Sequence, residues 1–340
     1  MLFNINQLNW FWQTLTSESQ IFRAILPRTI LFASLAMGVA FFHQFKPILE
    51  LNVVGSLTTN VACNLVLGLL LVFRTNAAYE RFCQGRQAWG ILTVEIRNLS
   101  REIQITIWET DEEYPSKKTT LLKLLVGFAI ATKLHLKQQK ITTELDEWLS
   151  PQILDQCRQA KNPPLQISLW IRNDLQQITQ HQTVTPVEQM IMLNQLNRLI
   201  EGLTCCERIL TTPTPPAYVN FLRKLIMIYC CLLPFSLIDQ LNWWVGFAVA
   251  VIASVLLGVD EIGSQMDSPF GNDSTDLPLD EICGRIMKGV ESTISFVSEN
   301  QTSTETNSSD FVETALRTHF NPNPNPTPST PFNSSQIDFP

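Results

Sequence analysis

The side chains of this 340-residue chain that could do chemistry fall in two places. One is DEIGSQMDSPFGNDSTDLPLD, which sets Asp260, Glu261, Asp267, Asp273, Asp276 and Asp280 around a turn containing proline and glycine. Hard oxygen donors so grouped can hold calcium, although the spacing is not that of an EF-hand; the same carboxylates can cap helices or make subunit contacts. The other is FRTNAAYERFCQGRQAWG, residues 73 to 90, with Arg74, Arg81 and Arg86. These arginines either raise the local anion concentration or pair with Glu80, Glu95 or acidic residues of a neighbouring copy. Catalytic patterns are missing: His43, His135, His181 and His319 are scattered singly, with no HExxH, GxSxG or phosphate loop. The eight cysteines include two adjacent pairs but no CxxC, and several sit in apolar runs where a thiol acts as a small hydrophobe. No enzyme is expected.

The elements that must position these residues are apolar. With 45% hydrophobic residues, eight Trp and nineteen Phe against 16% charged, the chain departs from an average soluble protein. A net charge of -7 offers no basic stripe for nucleic acid, so no such partner is expected. The start, MLFNINQLNWFWQTLTSESQ, has no basic n-region and no small-residue cleavage site, so no signal peptide is expected.

Four apolar stretches are candidates to cross about 30 Å of hydrocarbon. Thr29 to Phe45 and Leu51 to Phe73 form one predicted hairpin; Leu225 to Ile238 and Leu241 to Val259 form a second. Pro234 suggests a kink or early end in the third. The run Leu121 to Ala131 is shorter, carries Lys123, and reads as a buried helix of a soluble domain. Arg23, Arg28, Arg74, Arg81, Arg86, Arg223 and Lys224 flank one side of the spans, which puts both termini and the middle region in the cytoplasm.

The expected fold is all-α: a polytopic membrane protein with four transmembrane helices and a helical cytoplasmic domain. The predicted order is a cytoplasmic segment over 1–28, a hairpin over 29–73, a cytoplasmic domain over 74–218, a hairpin over 219–259, an acidic segment over 260–297 and a disordered tail over 298–340. In the middle, Trp89, Leu92, Ile96, Leu99 and Ile103 recur at helical spacing, as do Met190, Leu193, Leu196, Leu199 and Ile200. ETDEEYPSKK at 109 to 118 and KNPPLQ at 161 to 166 read as loops. The Asn-, Ser-, Thr- and Pro-rich tail cannot bury enough apolar surface to fold alone.

Together with this layout, FRTNAAYERFCQGRQAWG, CERILTTPTPPAY at 206 to 218 and SPFGNDSTDLPLD at 268 to 280 resemble the bestrophin family, especially its prokaryotic and plant-organelle branch. The resemblance implies a homopentameric ion channel in a bacterial plasma membrane or a photosynthetic internal membrane. Its partners would be copies of itself, membrane lipid and small inorganic ions. The central pore would be lined by the second membrane helix and its cytoplasmic continuation. Leu65, Leu69 and Phe73 match the family's apolar neck, and their spacing of four stacks them on one helical face, although any membrane helix can show Leu at such spacing. Five copies would make a ring that holds water poorly.

Asn60 and Asn64, the polar residues of that span, either bond neighbouring helices or offer an N–H to an anion. Met190 matches the cytoplasmic aperture, or belongs to a buried helix face. The calcium clasp of animal bestrophins falls on Gln265, Ser268, Asp273 and Asp276, with Ser268 in place of an asparagine; Asp273 and Asp276 would be the metal ligands. No cofactor is required. Anion conduction, of chloride or bicarbonate, fits the arginines and the absence of acidic residues in the membrane half of the pore helix. Pore-facing Glu80, Glu95 and Glu102 would instead favour cations, and a non-conducting membrane scaffold is the other class.

Overall fold

The computed structural model describes residues 19–45, 58–107, 114–180, 184–273 and 275–295. Among them the regular elements are all helical: α1 Ser19–Phe45, α2 Val61–Thr106, α3 Tyr114–Leu136, α4 Pro151–Gln159, α5 Pro163–Gln180, α6 Pro186–Thr211, α7 Pro216–Leu241 and α8 Val245–Met266. A ninth helix, α9, covers 279–290. Residues 291–295, the described part of a second compact unit, are helical as well. The predicted tail over 298–340 lies outside the described residues.

Proline punctuates this order. Pro151, Pro163, Pro186 and Pro216 each open a helix, where a missing N–H costs no intrahelical bond and the fixed φ suits the first turn. KNPPLQ, expected as a loop, is therefore a loop only at Lys161 and Asn162. Likewise α3 starts at Tyr114, inside the expected loop ETDEEYPSKK. Internal prolines behave differently: α1 runs through Pro27 and α7 through Pro234 to Leu241. The third span does not end early, because neighbouring helices and hydroxyls satisfy backbone groups freed by proline in a membrane helix.

Length and composition qualify Ile21–Gln44, Val61–Thr106, Lys117–Leu136 and Pro216–Met266 as candidate membrane spans, the last folded as α7 and α8. The apolar window of Lys117–Leu136 is 78% buried within the chain, against 22% for the first two. Its apolar surface is already covered by protein, which identifies α3 as a core helix rather than a lipid-facing one.

Two cores result. In one, Phe32 and Ala36 of α1, Leu67 and Leu71 of α2, Leu222 and Ile226 of α7, and Val249 and Ala253 of α8 pack together. Ile30, Leu31, Phe42, Phe247 and Val255 stay exposed on the outside, as lipid-facing side chains would. At the tip of the α7–α8 hairpin, Asn242 turns the chain at φ 45° and presents Trp243 and Trp244, residues that favour the membrane–water boundary. In the other core, Leu121, Leu125 and Phe128 of α3, Ile167 and Ile171 of α5, Leu196 and Leu203 of α6, and Trp89, Leu92 and Ile96 of α2 are buried.

Burial also sets the cysteines. All eight are free, and desolvation pushes the thiols of Cys157 up to about 11 and of Cys206 and Cys283 up to about 12. These three remain protonated apolar fillers.

Phe128 has no exposed surface. Phe128→Ala should cost about 3–5 kcal/mol through lost transfer energy and a cavity, read as a lowered unfolding midpoint in detergent; a midpoint unchanged from wild type would remove α3 from the core.

Candidate functional site

Helix α2 runs unbroken for 46 residues, about 70 Å at 1.5 Å per residue. The expected border at residue 73 is thus an interior position of one helix. Its start is built from polar side chains that the sequence placed within the span. Asn60 is the N-cap, its Oδ1 accepting from Ala62 N at 2.9 Å, and Asn64 Nδ2 donates to Thr58 O at 3.0 Å. Thr58 Oγ1 donates to Ser236 Oγ of α7 at 2.7 Å. Asn60 is therefore a helix-start residue rather than an interior polar group, because an N-terminal turn buried near lipid must have its free N–H groups capped. The upstream part of the predicted span, 51–57, lies outside the described residues.

Below the cap, α2 shows two faces. Leu67 and Leu71 point into the membrane core, whereas Leu65, Leu69 and Phe73 are 69%, 50% and 56% exposed in the single chain. The exposed face continues past the apolar half through Asn76, Glu80, Gln84, Gln87, Ile91, Val94, Arg97, Arg101 and Ile105, which recur at three or four residues and so form one stripe. Arg86 is exposed beside it.

Arg74 and Arg81 lie on another side. Arg74 forms a buried ion pair with Asp260 of α8 and donates to the Asp260 carbonyl at 3.0 Å, while Arg223 Nε reaches Asp260 Oδ2 at 3.3 Å. Arg81 Nε donates to Asp267 O at 2.8 Å and its guanidinium also bonds the carbonyls of Thr212 and Ile209 at the end of α6. The partners are thus Asp260 and Asp267 of the same chain, not Glu80 or Glu95. Two arginines seven residues apart meet two aspartates seven residues apart, so α2 and the parallel α8 are pinned in register over two turns, about 10 Å. The PFG turn closes over this tie: a Cβ on Gly85 would lie 3.2 Å from Pro269 and 3.3 Å from Phe270.

Glu95 is buried and pairs with Arg198 of α6 at 3.2 Å. Glu102 is half-buried with Thr106 Oγ1 3.5 Å away, and Glu80 is exposed. Met190 is 64% exposed, in the first turn of α6 beside a capping box of Thr185 and Glu188. The buried face of α6 comprises Met192, Leu196, Leu199 and Leu203, so the expected stripe from Met190 through Leu193 is shifted by two residues at its start.

The calcium candidates are engaged with one another and with their own turn. Gln265 Oε1 accepts from Thr275 Oγ1 at 3.2 Å, Asp276 Oδ2 accepts from Asp273 N at 2.6 Å, and Ser268 N donates to Gln265 O at 3.3 Å. Burial lifts the Asp276 carboxyl above its ordinary range. Among the described residues no three His, Cys, Asp or Glu side chains converge on a metal position. These hydrogen bonds close the turn on itself.

With this geometry in place, the comparison with known proteins is direct. The family model described as Bacterial/Fungal Bestrophin protein matches residues 3–292. The chain belongs to the bestrophin family. Two cyanobacterial relatives carry the name voltage-dependent anion channel-forming protein. That of Nostoc sp. is 38% identical over 283 residues, covering 83% of this chain and 91% of its own length; that of Synechocystis sp. is 38% identical over 277 residues, covering 82% and 89%. The solved bestrophin homologue of Klebsiella pneumoniae, at 24% identity, superimposes with a TM-score of 0.69 over 81% of this chain and 98% of its own. As a bestrophin the chain is a membrane channel protein and not an enzyme.

Removing one partner from the buried pair leaves the other charged and desolvated, a loss of roughly 3–5 kcal/mol. Arg74→Ala should therefore destabilise this bestrophin strongly, while the double variant Arg74→Met with Asp260→Leu should recover most of the loss in thermal unfolding. A mild Arg74→Ala effect would show that the pair does not hold α2 to α8.

Proposed function

We propose that this bestrophin assembles as a homopentamer around a central pore that passes anions, chloride and also bicarbonate. The observation that carries the reading is the free face of α2. It presents Arg86, Arg97 and Arg101 against one exposed carboxylate, Glu80, while Glu95, another carboxylate of the cation alternative, is turned inward and neutralised by Arg198. Five copies of that face, set around an axis, would enrich anions below the membrane. The names of the cyanobacterial relatives agree with this choice.

In this reading Leu65, Leu69 and Phe73 form the neck. They are apolar, exposed in the single chain and stacked along the membrane half of α2, which supports a ring that ions cross only when it wets or widens. Asn64, the residue just before Leu65, keeps a second amide hydrogen that can meet an ion at the neck's outer edge, since only one is engaged by Thr58. Exposed Met190 is the candidate for the lower aperture. The acidic turn acts as a structural clasp on Gly85, with calcium given no part.

Recordings from the purified protein in bilayers under a potassium chloride gradient test these assignments together. Current should reverse near the chloride Nernst potential, and replacing Arg86, Arg97 and Arg101 with Gln should move it toward zero. Replacing Leu65, Leu69 and Phe73 with Ala should raise the current several-fold by relieving the dewetted ring. Calcium or a chelator should change neither quantity. Reversal near the potassium potential would defeat the anion reading, and an unchanged current in the triple alanine variant would defeat the neck.

The proposed orientation places both chain ends in the cytoplasm, or on the equivalent side of a photosynthetic membrane, because the cations flank that side of the spans. A membrane-impermeant thiol reagent applied to cells should then fail to label a cysteine introduced near residue 300 until the membrane is opened; labelling of intact cells would reverse the topology.

A further inference from the structure

Away from α2, an open groove of about 1130 Å³ lies between the C-terminal end of α3, the α4–α5 connection and the last turns of α6. That volume accommodates a metabolite-sized ligand. Its lining is chemically divided. Ala131, Leu134, Ile141 and Leu210 supply an apolar wall, whereas Lys140, Arg158, Lys161 and Arg208 supply four cations. Glu207 is the sole carboxylate of the lining, and its Oε1 already accepts from Asn162 Nδ2 at 2.7 Å and lies 3.0 Å from His135 Nε2. Arg158 has only loose, exposed contacts, at 3.7 Å to Asp146 and 3.4 Å to Asp155. In a chain whose net charge is -7, four solvent-accessible cations gathered around one groove beside an apolar wall suit an anionic ligand.

An independent feature points to the same place. Helix α3 ends in a Schellman motif: Gln139 N donates to Leu134 O at 2.9 Å and Gln138 N to His135 O at 3.1 Å. The residue at its left-handed position is Gln138, at φ 54°, where glycine is the usual occupant. Gln138 lines the groove. A side chain kept where glycine would be unstrained needs a reason, and an amide placed to bond a ligand supplies one.

We propose that this groove binds a phosphate-bearing anion, held by Lys140, Arg158, Lys161 and Arg208, with the Gln138 amide as a positioning contact and the organic portion against Leu134 and Leu210. The phosphate belongs either to a soluble organic phosphate or to a lipid headgroup, since α6 leads through Thr211 and four linker residues into α7, which continues into the membrane core.

The test uses the full-length protein in detergent and isothermal titration with two probes, fructose 1,6-bisphosphate and dihexanoyl phosphatidic acid, with sodium sulfate as the control for simple anion attraction. Saturable binding of the first probe alone identifies a soluble ligand; binding of the second alone identifies a lipid headgroup. In either case Lys161→Gln with Arg208→Gln should weaken binding at least tenfold. Gln138→Gly should raise the thermal midpoint while weakening binding about threefold or more, a pairing that a purely structural residue would not give. Absence of heat with both probes overturns the proposal. So does sulfate competing as well as the probes, or Gln138→Gly binding like the unaltered protein. Should the double variant misfold, Arg208→Lys, which keeps the charge but loses the planar fork, must still weaken binding.

Discussion

The arrangement depends on a charge pair that water cannot reach. Arg74 and Asp260 are each almost fully enclosed, between the first third of α2 and the last third of α8. Burying either ion alone is strongly unfavourable, so each is tolerable only if the other arrives at the same place. This makes the pair a condition on assembly rather than a large net source of stability: α2 and α8 must meet in one register, with Arg223 on the second oxygen of Asp260 and Arg81 fixing the next two turns through Asp267. The PFG turn then settles on Gly85, where a Cβ would press on the Pro269 and Phe270 side chains at 3.2 and 3.3 Å.

Fixing α2 on that side decides what its opposite side can do. The residues facing α8 and the membrane core are committed, and those that remain run as a stripe from Leu65 to Ile105. The upper part of the stripe is apolar and the lower part polar and largely cationic, so in the proposed pore a single helix would supply both a barrier to water and a field attractive to anions. The Glu95–Arg198 pair belongs to the same economy of charge, since it keeps a carboxylate out of the stripe while joining α2 to α6.

Much of this was legible in the residue pattern. The apolar runs gave the membrane helices, and the three-and-four spacing from Trp89 to Ile103 gave the buried face of α2, because both depend on local hydrophobicity. The short length of Leu121 to Ala131 and the charge of Lys123 separated a core helix from a span, and burial of α3 agrees. Harder to read were features set by distant partners. Arg74 and Arg81 find their aspartates 186 residues away; the matching seven-residue spacings of Arg74/Arg81 and Asp260/Asp267 were the available signal, and recognising it required knowing that the two helices run parallel. Asn60 looked like an interior polar residue because the apolar run starts upstream of the helix cap. Gln138 gave no sequence signal, since its interest lies in a backbone angle.

The continuity of α2 has a mechanical corollary. A helix of 46 residues without proline and pinned along two turns behaves as a stiff shaft, so turning it about its own axis swings Leu65 and Arg101 together, both lying on the same generatrix about ten turns apart. In the proposed pore, barrier and ion-attracting surface would then be geared to one angular coordinate. A sequence change at the Arg101 end of the shaft would also reset the setting of the Leu65 end, and natural variation at the two ends is expected to be correlated for that reason.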